Sequence, residues 1–512
     1  MCVCTWLYVS SVVARRRVLT IKSCVMKYIG ILANVFLLLA LLGCDGKGTP
    51  ALTVNEAPPV FPDYTGVTFP KNMAPPSFEI DGAFRIQAVF KAGDEEVVVK
   101  GNKTIGITPS DWRSLIEKAL SDNRKISVVV SAWTERYPDG VEYSPFHLYV
   151  SDDEIDRYVT YRLIPPGYEF WSRMGIYQRN LESYEETAIV TNTQNNNGCV
   201  NCHSFCNYDA QKGMMFHARG LRGGTVIYQH GKMQKVMLEQ IGPKLSGTYP
   251  MWHPGGRFIV FSSNNTRQSF YGHSQDKIEV YDLASDLIVY DVEEHRVLTD
   301  ERFTDSLNWE TFPSFSPDGK WLYFCTARPV VMPVEYDKLH YSICRVAFDS
   351  RSGRLGEQVD TVYSASRQGG SASFPRLSPD GRFLMFTLAD CATFPIHHKE
   401  ADLKMLRLGG APDFAAVDTD ILNSSDVESY HSWSSNGRWV IFSSKRIDGR
   451  YTRLYVAHWD GKRFTKPLLL PQKNPEHNRE RLYSYNIPEF AKTAVSIDRD
   501  KMAELFNAVG KQ

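Results

Sequence analysis

FPSFSPDGKWLYFCTA, residues 312–327, decides the fold, because the chain repeats its pattern three more times. The other copies are YPMWHPGGRFIVFSSN from Tyr249, FPRLSPDGRFLMFTLA from Phe374 and YHSWSSNGRWVIFSSK from Tyr430. Each runs from an aromatic residue through a short strand to a turn, a Gly, a basic residue and an apolar strand. Pro at the first corner of the turn fixes φ, Asp or Asn tolerates the bend and Gly accepts positive φ, so the second strand returns antiparallel to the first. The turn positions Pro254, Pro317, Pro379 and Ser435 follow one another at steps of 63, 62 and 56 residues. That spacing holds four strands and a long loop. A single four-stranded sheet cannot cover both of its faces, so such units stack radially and close a ring, which is a β-propeller.

Four clear copies imply further, degenerate ones. Gly223–Leu238 (GGTVIYQHGKMQKVML) reads as a hairpin, and the stretch from Tyr451 to Phe490 can complete the ring, for five or six blades in all. The segments Ser316–Phe324 and Ser378–Phe386 follow S-P-D-G-x-x-[LIV]-x-F, and on them the chain resembles the TolB-type, WD40-like propeller repeat over residues 213–490. The first copy (His253-Pro254-Gly255-Gly256) and the fourth (Ser434-Ser435-Asn436-Gly437) depart from that signature.

Ahead of the ring, residues 78–165 alternate apolar and polar residues in FRIQAVF, ISVVVSAW, FHLYV and YVTYRLI, the signature of half-buried strands. Thr108, Pro109 and Asp111 supply an N-cap, a first-turn proline and a favourable first-turn charge for a helix reaching Ser121. The expected organisation is a mainly β chain: a leader (1–43), a Pro-rich tether (44–77), a small β-rich, sandwich-like domain (78–165), a connecting segment (166–212), the propeller (213–490) and a C-terminal helix or tail (491–512).

The leader reading rests on MKYIGILANVFLLLALLGCDGKG from Met26. Lys27 precedes an apolar run to Leu42, and Leu41-Leu42-Gly43-Cys44 resembles a bacterial lipoprotein signal. The run is too short to span a bilayer comfortably and suits an export signal. Translation is expected to start at Met26, with Cys44 becoming the lipidated first residue; an uncleaved anchor is the alternative. Either places the rest outside the cytoplasm, as a membrane-anchored lipoprotein of the periplasm or cell surface with a protein partner in the envelope.

Composition is that of a folded chain, with 43% hydrophobic, 23% charged and 12% aromatic residues. The formal charge is zero, and residues 1–43 carry five basic and no acidic residues, so the remainder is acidic by five. Nothing in that balance calls for nucleic acid.

NNNGCVNCHSFCNYD, residues 195–209, holds three of the ten cysteines. Cys199-x-x-Cys202-His203 matches the attachment signature of c-type haem, in which two sulfurs bond the porphyrin and the adjacent imidazole ligates iron. The expectation is one covalent haem c, with His217, Met214 and Met215 as candidates for the second axial position. Zinc on Cys199, Cys202, His203 and Cys206 is the alternative cofactor, and a redox or disulfide pair is a third reading. A Cys325–Cys344 bridge is compatible with export. Leader, front domain, haem motif and repeats together resemble exported, cytochrome-c-like propeller proteins, which implies an electron carrier docking a redox partner rather than an enzyme. The alternative is a non-haem propeller lipoprotein that binds a protein or glycan, with the cysteines structural. A hydrolase is disfavoured by the absence of G-x-S-x-G and by the few residues after Phe490. His397-His398 reads as surface, and His431 as a residue that could line the channel.

Overall fold

The computed structural model describes residues 49–165, 173–242, 247–270, 278–409 and 414–508. The leader with Met26 and Cys44 lies outside the described residues. Six four-stranded antiparallel sheets form the blades of a ring. Their innermost strands are Val200–Phe205, Thr248–Trp252, Trp309–Phe315, Ser371–Leu377, Glu428–Trp433 and Ser484–Ala491, for blades 1 to 6.

Blade 6 is assembled from both sides of the sequence. Its innermost strand, Ser484–Ala491, pairs antiparallel with Tyr158–Ile164, which continues outward to Gly175–Asn180 and Glu186–Thr191. The expected domain boundary at residue 165 therefore falls inside a blade. The expected connecting segment supplies the two outer strands of blade 6 and the innermost strand of blade 1. Gly223–Leu238 provides the outer hairpin of blade 1, Gly224–Gln229 with Lys232–Val236.

The repeated turn explains itself at atomic level. Ser316 Oγ donates to Asp318 Oδ1 (2.6 Å) and accepts from the Trp321 amide (3.0 Å), while Gly319 sits at φ 71°. Blades 4 and 5 reproduce the arrangement with Ser378 and Asp380, and with Ser434 and Asn436. In blade 2, His253 replaces the serine and its Nε2 reaches the Gly319 carbonyl oxygen of the next blade at 3.1 Å.

Blades mesh through apolar faces. Phe258 and Val260 meet Phe315, Phe324 and Phe348 between blades 2 and 3, and Phe383 and Met405 meet Trp433 and Phe442 between blades 4 and 5. Each such buried side chain contributes about 1.5–3 kcal/mol. Cys325 and Cys344 stand on opposite faces of blade 3, since Cys325 lies across from Ile343 and Cys344 from Phe324. They fall in different cores, between blades 3 and 4 and between blades 2 and 3, and no bridge joins them.

The front domain holds a seven-stranded and a three-stranded sheet with the helix Pro109–Ser121, capped by Thr108 Oγ1 accepting from the Asp111 amide at 3.2 Å. The stretch read as a tether is woven into it. Leu52–Thr53 and Thr68–Pro70 are strands of the large sheet, and Tyr64, Val67, Phe69 and Met73 are buried in its core. That core continues into blades 5 and 6 through Trp439, Val456, Tyr161 and Phe490. Asp153 fastens the join by bonding His458 Nε2 (2.7 Å) and Arg438 Nε (3.0 Å).

The helix Arg499–Asn507 clips the ring where blade 6 meets blade 1. Met502 and Phe506 sink between the two blades beside Phe216, and Gln194 Nε2 donates to the Arg499 carbonyl oxygen at 3.1 Å.

Candidate functional site

Each innermost strand carries one non-glycine residue in the left-handed region. These are Cys202 (φ 54°), Tyr249 (48°), Phe312 (51°), Phe374 (51°), Tyr430 (51°) and Ile487 (53°). At each of them the ladder to the second strand slips, a bulge that re-aims the side chain. The six form a collar across the ring. Tyr249 and Phe312 have ring centroids 4.6 Å apart, Phe312 and Phe374 4.1 Å, and Phe374 and Tyr430 5.1 Å. The next residue is Pro in four blades and His in two, His203 and His431. Cys202-His203 is thus the blade 1 version of the dipeptide that elsewhere reads Tyr-Pro, Phe-Pro, Tyr-His or Ile-Pro.

The collar shuts the channel. The axial cavity beside it, lined by Cys202, His203, Phe312, Phe374, Arg376 and Ile487 among others, has a volume of about 20 Å³, room for roughly one water. Below it Arg376 reaches across to Glu489 (3.5 Å) and to Met251 Sδ (3.6 Å). Burial first, against the pull of Arg376, pushes the Glu489 carboxyl up to about 7.

This geometry does not support the haem expectation. Cys199, Cys202 and His203 are 6%, 4% and 2% exposed. His203 Nε2 faces the Thr160 carbonyl oxygen at 3.3 Å, and the adjoining space is far below the several hundred Å³ that a cofactor-sized ligand fills. Burial drives the His203 imidazole down to about 3. The proposed second ligands do not converge either. Met214 packs between blades 6 and 1, Met215 between blades 1 and 2, and His217 Nδ1 is bonded to Thr225 Oγ1 (3.2 Å). As these side chains pack, no porphyrin-sized space adjoins them, and the electron-carrier reading finds no support. Zinc fares no better: Cys206 sits in the core between blades 1 and 2 while Cys199 sits in the one between blades 6 and 1, and no group of three or more His, Cys, Asp or Glu is positioned for a metal among the described residues.

One layer above the collar, the repeat places a small polar residue on the innermost strand opposite another on the second strand. The pairs are Thr248 with Ser262, Thr311 with Cys325, Ser373 with Thr387 and Ser429 with Ser443. They stitch one blade to the next: Ser262 Oγ donates to Thr311 Oγ1 (3.1 Å), Thr387 Oγ1 to Ser429 Oγ (3.4 Å) and Ser443 Oγ to the Tyr485 carbonyl (2.8 Å). Blades 1 and 6 break the rule. Their pairs are Asn201 with His217 and Asn486 with Arg162.

By the geometry of the other seams, Arg162 is turned from blade 6 towards blade 1. Its charge, together with that of Arg219, lowers the proton affinity of Cys199 and Cys202, although burial outweighs both and holds the thiols above their ordinary pKa. Thr160 shares the strand face of Arg162, two residues away. Of the 22 buried side-chain polar atoms without a hydrogen-bond partner among the described residues, five gather at this seam: Thr160 Oγ1, Arg162 Nε, Asn195 Oδ1, Asn201 Oδ1 and His203 Nδ1.

The opposite side of the mouth is covered. The strands Phe258–Phe270 and Ile278–Asp291 of blade 2 overrun the sheet as a long hairpin, from which Glu279 pairs with His398 Nε2 (3.2 Å) of the blade 4 loop, with Glu400 on Nδ1 (3.3 Å). The two carboxylates overcome burial and raise the His398 imidazole to about 10. His398, its side chain 11% exposed, is therefore a tie between blades rather than the surface residue expected, and His431, 2% exposed, is packed next to the collar.

Neither protein-family models nor curated proteins match the chain. Among solved structures it is similar to the β-propeller domain of the Trilobed protease from Pyrococcus furiosus (8% identity, TM-score 0.32, 68% of this chain and 82% of that one). It is also similar to a Mycobacterium tuberculosis puromycin-hydrolyzing peptidase (11%, 0.31, 68% and 52%) and to Porphyromonas gingivalis dipeptidyl peptidase 4 (10%, 0.27, 58% and 48%). The chain thus spans about half the length of these last two. The resemblance is one of fold.

Proposed function

We propose that this chain is a binding protein of the cell envelope, a TolB-type propeller held by a lipid anchor, whose working site is the seam between blades 6 and 1 at the mouth of the ring. The observation that carries the reading is the group of buried polar atoms left without partners there. Buried polar groups in folded proteins are nearly always satisfied, and a local departure from an otherwise consistent repeat marks a site shaped for something else. The closed collar argues against threading a ligand through the channel and favours binding at the mouth.

The test is amide hydrogen exchange of the exported protein with a panel of small carboxylates, phosphates, sugars and amines. A ligand is expected to raise the melting temperature and to slow exchange in Tyr158–Ile164 and Val200–Phe205, and Asn201→Leu is expected to abolish both effects. Protection confined to blades 2–4, or binding indifferent to Asn201→Leu, would refute the site.

A further inference from the structure

We infer that the ligand of this seam carries an oxyanion, a carboxylate or a phosphate group, and that Arg162 is its counter-ion. The inference rests on the seam being a ligand site, and it comes from comparing the buried arginines. Arg453, 1% exposed, donates to the carbonyl oxygens of Thr452, Asn478, Arg481 and Tyr483. Arg179, 2% exposed, donates from both terminal nitrogens, to Pro471 O and Gln472 Oε1, and leaves only its Nε unpartnered. Arg376 has Glu489.

Arg162, 9% exposed, has much less. With the Asn486 amide oriented so that its nitrogen donates to Thr452 Oγ1, the amide oxygen accepts from Arg162 Nη2 at 3.2 Å, and Nε has no partner. No carboxylate pairs with this guanidinium among the described residues. A charge removed from water without a partner is strongly disfavoured, so the site is incomplete as it stands.

The neighbours do not supply the missing charge. Cys199 and Cys202 stay protonated because burial raises their thiols, and burial likewise lifts the Tyr430 phenol to about 12. Asp282, whose carboxyl feels the charge of Arg219, is pushed up to about 7 by burial and already accepts from Asn264 Nδ2 at 2.9 Å. An oxyanion fits instead. It would take the Nε edge of the planar fork, which matches two oxygens side by side. Arg219, exposed at the rim and acting on the same two thiols, adds a second positive charge on the way in.

The experiment is calorimetric titration of the full exported chain with inorganic phosphate and with acetate, in low-chloride buffer, alongside thermal unfolding of Arg162→Met, Arg162→Lys and Arg219→Ala. One anion is expected to saturate; phosphate alone or acetate alone identifies the group. Arg162→Met should weaken binding by about tenfold or more, Arg162→Lys by less, and Arg219→Ala chiefly at low salt. In anion-free buffer Arg162→Met should melt at or above the wild-type temperature, and the order should reverse at saturating anion. A purely structural arginine would give the low value in both buffers. If Arg162→Met lowers the melting temperature equally in anion-free and anion-saturated buffer, the counter-ion is internal and the inference fails. If sugars or amines protect the seam while neither anion binds, the oxyanion is refuted and the ligand site stands. Silence from every probe refutes both.

Discussion

Phe374 is held at φ 51° on the innermost strand of blade 4, with its ring against Phe312 and Tyr430. Replacing it by alanine removes a 7%-exposed phenyl and its ring contacts, a loss of about 3–5 kcal/mol. The informative variant is Phe374→Gly. In an ordinary strand glycine is worse than alanine by about 0.5–1 kcal/mol, because it gives up more backbone entropy. In the left-handed region alanine carries a steric cost of about 1–2 kcal/mol that glycine does not. The two effects oppose, and the second wins, so Phe374→Gly should be more stable than Phe374→Ala by about 0.5–1 kcal/mol. Thr387 on the adjacent strand, fully buried and with no positive φ, is the control, where glycine should be the worse residue. Urea unfolding of the four variants, compared by midpoint at a common slope, reads the contrast, which is about 1.5 kcal/mol between the two positions. If glycine is the worse residue at both, the collar conformation is not strained and the reasoning about its repeated bulge is wrong.

Phe506→Ala should cost about 3 kcal/mol and release the blade 6 strands first, seen as faster hydrogen exchange in Ser484–Ala491 than in blade 3. Ser316→Ala removes one donor and one acceptor from the repeated turn and should cost about 1–2 kcal/mol by chemical unfolding. Glu489 rises from 4.5 to about 7 on folding, so its contribution is present in full below pH 4.5 and is lost as pH climbs through 7; Glu489→Gln should flatten that part of the stability profile. Coexpressed with haem-attachment machinery, the exported protein should show no Soret band and no haem surviving denaturing electrophoresis; a stoichiometric band would overturn the closed-collar argument.

The ring was readable because the S-P-D-G turn needs particular residues at particular atoms, and four copies keep enough of them. Blade 6 was not, because its strands come from distant parts of the chain and YVTYRLI alternates like any half-buried strand. The place of the cysteine motif in the ring was hidden for a related reason. Cys202-His203 occupies the collar dipeptide, but without the aromatic and the proline nothing aligned it with Phe312-Pro313. Once YVTYRLI is set beside FIVFSSN and WVIFSSK, Arg162 falls opposite Ser262 and Ser443, and the misfit at the seam shows in the letters alone. His398 could not be found this way, since its partner Glu279 lies more than a hundred positions earlier on a hairpin of irregular length.

Because the last blade takes its innermost strand from residues 484–491 and the other three from residues 158–191, the circle cannot be completed until synthesis has passed residue 491. Until then the strand Tyr158–Ile164 presents a bare hydrogen-bonding edge, the template on which chains of one sequence stick to one another. Closure joins partners some three hundred residues apart, a slow step. Synthesis thus opens an interval of exposure that a shielding chaperone is suited to cover, and any stop codon before the final strand leaves five blades with nothing to latch.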